Sequence, residues 1–180
     1  SILSEIYEEN CDIAAFSCYI WNIGEVLKIA DNLKKVLPKV KIVLGGPEVS
    51  FSSYEMMKNN SFIDYILSGE GEEAFRNLLR SFSDPSVTLS SIKSLTYRDG
   101  QNIVCGNEYA LIEDLNTVKS PYSEDMFKSI GNKIVYYESS RGCPFNCSYC
   151  LSSTFKGVRY LDLERVKSDI LMFIKNGIKM

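Results

Sequence analysis

Lys41-Ile42-Val43-Leu44-Gly45-Gly46-Pro47-Glu48 is a short apolar run broken by two glycines and a proline. A run of this length, punctuated so sharply, predicts a buried strand that ends in a tight turn. The same unit recurs on either side of it. Upstream, Ile13-Ala14-Ala15-Phe16-Ser17-Cys18 is continuous and mostly apolar, as a parallel strand covered on both faces requires. Between the two, Asn22 precedes Ile23, Val26, Leu27, Ala30, Leu33 and Leu37, a face at steps of three and four. Glu25 stands where it would complete a capping box with Asn22, and Pro38 stops the helix. Downstream, a short helix is expected around Tyr54, Met57 and Lys58, followed by the strand Asp64-Tyr65-Ile66-Leu67 and its terminus Ser68-Gly69-Glu70-Gly71. Ala74, Phe75, Leu78, Leu79 and Phe82 then mark another helix. Strand and helix alternating at this spacing predict an α/β fold with a doubly wound parallel sheet.

Beyond this repeat the pattern changes. Leu95-Thr96-Tyr97-Arg98 and Gln101-Asn102-Ile103-Val104 flank Asp99-Gly100, a pair suited to a two-residue hairpin turn. Periodicity is weak from Leu111 to Asn132, and Ser120-Pro121-Tyr122 sits inside that stretch. The expected organisation is a domain over 1–104, a linker over 105–132 and a second segment over 133–180. In that segment Lys133 to Glu138 reads as a strand. Leu163, Val166, Ile170 and Phe173 form a helix face capped by Asp162 and stopped by Gly177. Both ends read as cut. Ile2, Leu3 and Ile6 suggest a crossover helix whose preceding strand is missing, Ser1 is no initiator Met, and Gly177-Ile178-Lys179-Met180 ends where a new strand would begin. The expectation is a fragment of a larger protein.

The 180 residues are 45% hydrophobic and 24% charged, which excludes a disordered or low-complexity chain. A net charge of -3 supplies no basic field for phosphate backbones or anionic lipid, so neither nucleic acid nor membrane is expected as a partner. No apolar run is long enough to span a bilayer and the start lacks a signal peptide, so a cytoplasmic location is expected. There is no histidine, which removes Ser-His-Asp and Cys-His catalysis and every imidazole metal site. Any metal must be carried by cysteine.

Six cysteines are present, and three of them crowd into Arg141-Gly142-Cys143-Pro144-Phe145-Asn146-Cys147-Ser148-Tyr149-Cys150. Three thiolates at C-x3-C-x2-C spacing in one loop can surround a compact metal centre and leave one coordination position open. A structural zinc knot completed by Cys105 is the bland alternative, and it would make the chain a non-catalytic nucleotide-binding or interaction module. A protein that only transfers electrons is a further alternative, disfavoured because three cysteines leave one iron unprotected. Cys11, Cys18 and Cys105 lack partner spacing and read as small buried residues. Lys34-Lys35 reads as a solvated helix face.

The cysteine segment resembles the cluster loop of radical S-adenosylmethionine (SAM) enzymes, including the aromatic directly before the last Cys. The resemblance implies that Cys143, Cys147 and Cys150 bind a 4Fe-4S cluster whose remaining iron is chelated by SAM, with Tyr149 near the adenine. It also implies reductive cleavage of SAM in the intact parent, fed by an electron donor such as flavodoxin or ferredoxin and acting on a small-molecule or unknown substrate. In this reading 133–180 supplies the first strand-loop-helix of a partial (β/α) barrel. The fragment itself is expected to be inactive, and no side chain is assigned a catalytic role.

The upstream part resembles the cobalamin-binding, Rossmann-like domain that precedes the barrel in one branch of that family. The residues that carry this are Phe16-Ser17-Cys18-Tyr19-Ile20-Trp21-Asn22, Gly45-Gly46-Pro47-Glu48 and Gly69-Glu70-Gly71-Glu72-Glu73. All three follow expected parallel strands, where open sheets of this kind bind ligands. The implied cobalamin contacts are Ser17, Tyr19, Trp21, Asn22, Gly45, Gly46, Pro47, Glu48, Gly69, Glu70 and Gly71. The glycines would admit a close-packed nucleotide tail, and a tight turn explains them equally. Tyr19 and Trp21 could stack on a corrin or pack in the core, and Glu70, Glu72 and Glu73 could be a site or simply favour a helix start. Relatives of the mutase type hold cobalt through a histidine, which this chain lacks, so direct imidazole ligation by these residues is excluded.

Overall fold

The computed structural model describes residues 2–106, 108–130, 133–153 and 157–178. The chain divides into two units, Ser1–Leu111 and Ile112–Met180.

The first unit alternates as the apolar pattern demands. Helix α1 (Ile2–Glu8) leads into β1 (Ile13–Ser17), α2 (Ile23–Val36) and β2 (Lys41–Gly45). Then come two short helices, α3 (Pro47–Ser50) and α4 (Ser53–Asn59), β3 (Tyr65–Leu67) and α5 (Gly71–Ser81). The hairpin β4 (Leu95–Asp99) and β5 (Asn102–Cys105) completes it. One sheet in the order β1-β2-β3-β4-β5 contains all of these strands. β1, β2 and β3 run parallel, while β4 and β5 run antiparallel.

Alternate residues feed two cores. Ala14, Ile42, Leu44 and Ile66 pack with Val26, Ala30 and Leu33 of α2 and Met57 of α4, and Leu3 and Ile6 of α1 add to that face. Val43, Tyr65, Leu67 and Leu95 pack on the other face against Ala74 and Leu78 of α5. Helices therefore cover both faces, as expected, but the sheet is mixed rather than purely parallel. The cause is the hairpin, which enters the sheet beside β3 in the opposite direction instead of standing apart. Polar bonds hold it there: Thr96 donates to the Ser53 hydroxyl at 2.9 Å, and the Arg98 guanidinium bonds the Met57, Asn60 and Ile63 carbonyls around the end of α4.

Three local expectations are corrected. The hairpin turn is Gly100-Gln101, one residue later than expected, because Asp99 pairs with Asn102 and Gly100 takes the positive backbone angle (φ 61°). β1 is not covered on both faces, since Ala15 is exposed. Lys34 is not a solvated surface lysine: half-buried, it bonds Asp64 at 2.7 Å and the Val40 carbonyl at 2.7 Å, while Asp64 also accepts from the Ile42 N–H. That triad ties α2 to the starts of β2 and β3. Lys35 does pair on the surface, with Asp31.

In the second unit, a turn of 3-10 helix at Leu115–Thr117 precedes α6 (Glu124–Ile130), a hairpin of β6 (Ser140–Cys143) and β7 (Gly157–Tyr160), and α7 (Leu163–Lys175). The core is aromatic, with Phe173 meeting Tyr122, Phe127 and Tyr137 edge to face. Lys133 to Glu138 does not form a strand. A barrel strand needs parallel neighbours on both sides, and among the described residues these have none. The strand lies at 140–143 and pairs antiparallel with 157–160, so a small hairpin replaces the expected opening strand of a barrel. The stretch 105–132 is also no free linker. Ala110 bridges to Gly69 in the first unit, and Arg165 of α7 holds the Leu115, Asn116 and Val118 carbonyls in the second. Lys179 and Met180, where a further strand was expected, lie outside the described residues.

Candidate functional site

Parallel pairing brings the carboxyl ends of three strands into line, with Ser17 opposite Gly45 and Gly45 opposite Leu67. The loops that leave these ends carry all the upstream site residues expected from the sequence. The first loop is shaped by Asn22. Its side-chain oxygen accepts from the Tyr19 N–H at 2.7 Å and its amide donates to the Ser17 carbonyl at 2.9 Å. Asn22 thus occupies the N-cap position without making the expected side-chain cap, because its side chain is committed to the loop before it. Glu25 pairs with Lys28 instead.

This turn thrusts its apolar residues outward. Tyr19 and Trp21 stack with ring centroids 4.6 Å apart and planes 6° from parallel, and Trp21 is 76% exposed. The core-packing alternative for these rings is therefore set aside. Cys18, between them and the strand, turns the other way and is fully buried. Burial pushes its thiol up to about 11, and the nearby Glu48 carboxylate adds to the rise. It is a packing residue, its thiol directed at the Phe16 carbonyl at 3.8 Å.

The second loop is joined to the first through the Cys18 backbone. The Cys18 N–H donates to the Gly45 carbonyl at 2.7 Å, and the Glu48 N–H donates to the Cys18 carbonyl at 3.2 Å. Gly46 sits between them at φ 99°, and a Cβ there would lie 2.7 Å from the Cys18 carbonyl oxygen. Gly69 has a matching reason: at φ 88° its absent Cβ makes room for the Ala110 carbonyl, at 2.5 Å. The Glu70 N–H donates to that carbonyl, and the Ala110 N–H donates to Ser68. Two of the glycines read as ligand contacts are thus required by the chain's own backbone.

Gly45 is different. A Cβ there would meet only the Leu67 carbonyl oxygen, at an ordinary 3.8 Å, and at Gly71 it would meet nothing within 4 Å. Neither has a positive φ. Packing within the chain does not call for glycine at either position, which leaves room at the end of β2 and at the start of α5. Pro47 starts α3, Glu48 is exposed, and Glu70 precedes α5 without a side-chain cap.

Ser50 escaped the sequence reading. Buried to 6% exposure, it donates its hydroxyl to the Gly46 carbonyl at 2.8 Å and accepts from the Gly69 N–H at 3.3 Å, bridging the second and third loops. A serine four residues after a helix-starting glycine was the available signal. Phe51 and Tyr109, tilted rings 5.3 Å apart, are a second exposed aromatic pair that the sequence did not single out.

In the second unit, Cys143 ends β6, while Cys147 and Cys150 are joined by a turn in which the Cys150 N–H donates to the Cys147 carbonyl at 3.1 Å. Tyr149 is 90% exposed. Three thiols at this spacing suit an iron-sulfur centre chemically, yet among the described residues no three Cys, Asp or Glu side chains are gathered to hold a metal. That statement includes Cys105, which is exposed at the end of β5 rather than buried as expected. Among the described residues no helix is long and apolar enough to cross a membrane.

Residues 1–79 match the family model of the B12 binding domain. The chain is 29% identical over 178 residues to the cobalamin-dependent radical SAM methyltransferase TokK of Streptomyces tokunonensis, covering 93% of this chain and 26% of that protein. It is 27% identical over 176 residues to an anaerobic magnesium-protoporphyrin IX monomethyl ester cyclase of Cereibacter sphaeroides, covering 93% of this chain and 28% of that one. The chain thus spans about a quarter of the length of these curated relatives. Among solved structures, the cobalamin-dependent SAM radical enzyme OxsB matches with a TM-score of 0.75 at 20% identity, over 99% of this chain and 26% of that one. The radical SAM methyltransferase TsrM of Kitasatospora setae, solved with cobalamin and a [4Fe-4S] cluster, matches with a TM-score of 0.65 at 17% identity, over 98% of this chain and 38% of that one. At these identities the two structures establish the shared fold.

Proposed function

We infer, from the match of residues 1–79 to the B12 binding domain model and the similarity of the chain to a cobalamin-dependent radical SAM methyltransferase, that this chain is the cobalamin-holding portion of such an enzyme. The observation that carries this reading is the room for a ligand at Gly45, which ends β2 opposite Ser17, and at Gly71, which starts α5, together with an exposed Tyr19–Trp21 stack on the β1 loop. The opening suits a nucleotide tail laid along the strand ends, where a glycine lets it approach the backbone. The aromatic stack suits the flat, apolar flank of a corrin. Ser17 offers an exposed hydroxyl at the same edge, and Asn22 keeps the stack and that hydroxyl in one turn. The chain has no histidine, so its residues hold cobalamin by its periphery and do not ligate cobalt through imidazole.

Bound cobalamin would supply a cobalt centre able to carry a methyl group, and a 4Fe-4S cluster with SAM would supply reductive cleavage of a carbon-sulfur bond. We assign Cys143, Cys147 and Cys150 as cluster ligands in the full-length protein, with Tyr149 beside SAM, on the resemblance of their segment to the cluster loop of radical SAM enzymes. The full-length enzyme is expected to be cytoplasmic and to need a low-potential electron donor such as flavodoxin or ferredoxin. Methyltransferases and cyclases both occur among the relatives, so the reading stops at the reaction class they share.

The test is cobalamin retention by the full-length protein. Hydroxocobalamin should bind the wild type, and Gly45→Val should weaken binding at least about tenfold, about 1.4 kcal/mol, with the unfolding midpoint preserved. Equal affinity of the two proteins would refute the site, and failure of the wild type to bind would refute the reading. Anaerobic reconstitution should load iron and sulfide in the wild type and Cys11→Ala but not in Cys147→Ala. Stoichiometric zinc in place of iron would identify a structural metal instead.

A further inference from the structure

Four groups meet behind the strand ends: the Gly46 carbonyl, the Ser50 hydroxyl, the Gly69 N–H and the backbone of Ala110. The first three form one chain of hydrogen bonds, with Ser50 as its centre. Ala110 then closes on the far side of Gly69. Gly46 and Gly69 both have positive φ, and each lies against backbone where no Cβ fits, so both loops are built on positions that require glycine. The pairing of Gly45 with Leu67 brings the two loops side by side, and beyond it a side chain bridges them: a hydroxyl on a four-residue helix, with both its donor and its acceptor function used.

We propose that Ser50 is the positioning residue of the cobalamin site, setting the gap between the β2 and β3 loops that receives the nucleotide tail. This rests on the cobalamin reading above. Ser50 is too buried to be a contact itself, and it acts through Gly46 and Gly69. Removing its oxygen breaks the link between the part-buried Gly46 carbonyl, which retains a 3.4 Å bond from the Val49 N–H, and the part-buried Gly69 N–H, a loss that both loops can make good by moving toward water or each other. Either movement changes the width of the opening beside Gly45, while the bonds by which Asn22 holds the Tyr19–Trp21 turn lie wholly within the β1 loop. The expected defect is selective: it falls on the tail of the ligand and spares its corrin.

The experiment uses the full-length protein and two ligands, hydroxocobalamin and cobinamide, the second lacking the nucleotide tail. Ser50→Ala should lower hydroxocobalamin affinity about tenfold, about 1.4 kcal/mol, and change cobinamide affinity by less than about twofold. Hydrogen exchange of the ligand-free protein should show the Gly69 amide losing protection in the same variant. Thr96→Val is the control, because it removes another hydroxyl bonded under the same sheet, one that bonds Ser53 rather than either glycine loop. It should cost stability and leave both affinities unchanged. Ser50→Thr, which keeps the oxygen, should recover most of the hydroxocobalamin affinity. An equal loss for both ligands, or the same loss in Thr96→Val, would reduce Ser50 to a general stabilising residue and overturn the proposal. Tight hydroxocobalamin binding by Ser50→Ala overturns it alone, whereas a wild type that binds neither ligand removes the cobalamin reading on which it stands.

Discussion

Gly45 and Gly46 are adjacent in the chain and serve different ends. Gly46→Ala places a Cβ against the Cys18 backbone at a positive φ, which should cost about 1–3 kcal/mol; Gly45→Ala should shift stability by less than about 0.5 kcal/mol. Urea unfolding of the two variants checks the difference, and equal losses would undo the distinction drawn between them. The sequence displayed the pair but not this division of labour, because φ and the position of the Cys18 loop are properties of the folded chain. The same limit hid Ser50, whose meaning depends on Gly69, nineteen residues away. Cysteines show the point in reverse. Cys18, Cys11 and Cys105 look alike in the sequence, but only Cys18 is fully buried and Cys105 is exposed. With its thiol pushed up to about 11 by burial, Cys18 should resist iodoacetamide at pH 8 in the folded protein, while Cys105 is alkylated readily. Peptide mapping of the labelled sites distinguishes the two, and early labelling of Cys18 would contradict its burial.

Elements were legible where an apolar period and a stop signal agreed. α2 lies between Asn22 and Pro38 as its pattern requires, β2 ends at Gly45, and β3 ends two residues before Gly69. The pattern failed at Lys133 to Glu138 because an apolar stretch specifies a capacity for pairing and not a partner. It also passed over the polar ties that order the second unit. Arg165 donates to three carbonyls around the Leu115–Thr117 turn, so Arg165→Met should cost about 1.5–3 kcal/mol, the range for hydrogen bonds to a charged group. One turn along α7, buried Asp169 accepts the Tyr137 hydroxyl at 2.7 Å. Burial first, and this bond second, push Tyr137 up to about 12 from an ordinary 10.0. The folded unit thus favours neutral Tyr137. Its contribution is complete below pH 10 and disappears as pH rises through about 12, because the unfolded chain gives up that proton first. Denaturation of the wild type across that window should show the fall in stability, and Tyr137→Phe should lack this part of it.

At the scale of the whole molecule, the boundary between units depends on where backbone hydrogen bonds close rather than on where periodicity fades. Composition and turn residues put the end of the first domain at 104, just as β5 finishes. The structure carries that unit on to Leu111, because the chain after β5 returns to the strand ends. The Gly106 N–H donates to the Leu95 carbonyl, the Ala110 N–H to Ser68, and the Glu70 N–H to Ala110. Both cores of the sheet lie within the same span. A protein ending at Leu111 should therefore fold alone and unfold in one cooperative urea transition. One ending at residue 104 loses those three hydrogen bonds, and with them about 3 kcal/mol at roughly 1 kcal/mol each. It also exposes Gly69 on the side that Ala110 covers, so its third loop should lose order along with stability. Comparing the two truncations by urea unfolding and by amide exchange at Ser68, Gly69 and Glu70 tests this directly. Equal midpoints and equal protection would mean that residues 105–111 are a tether after all, and that the third loop of the candidate site stands without them.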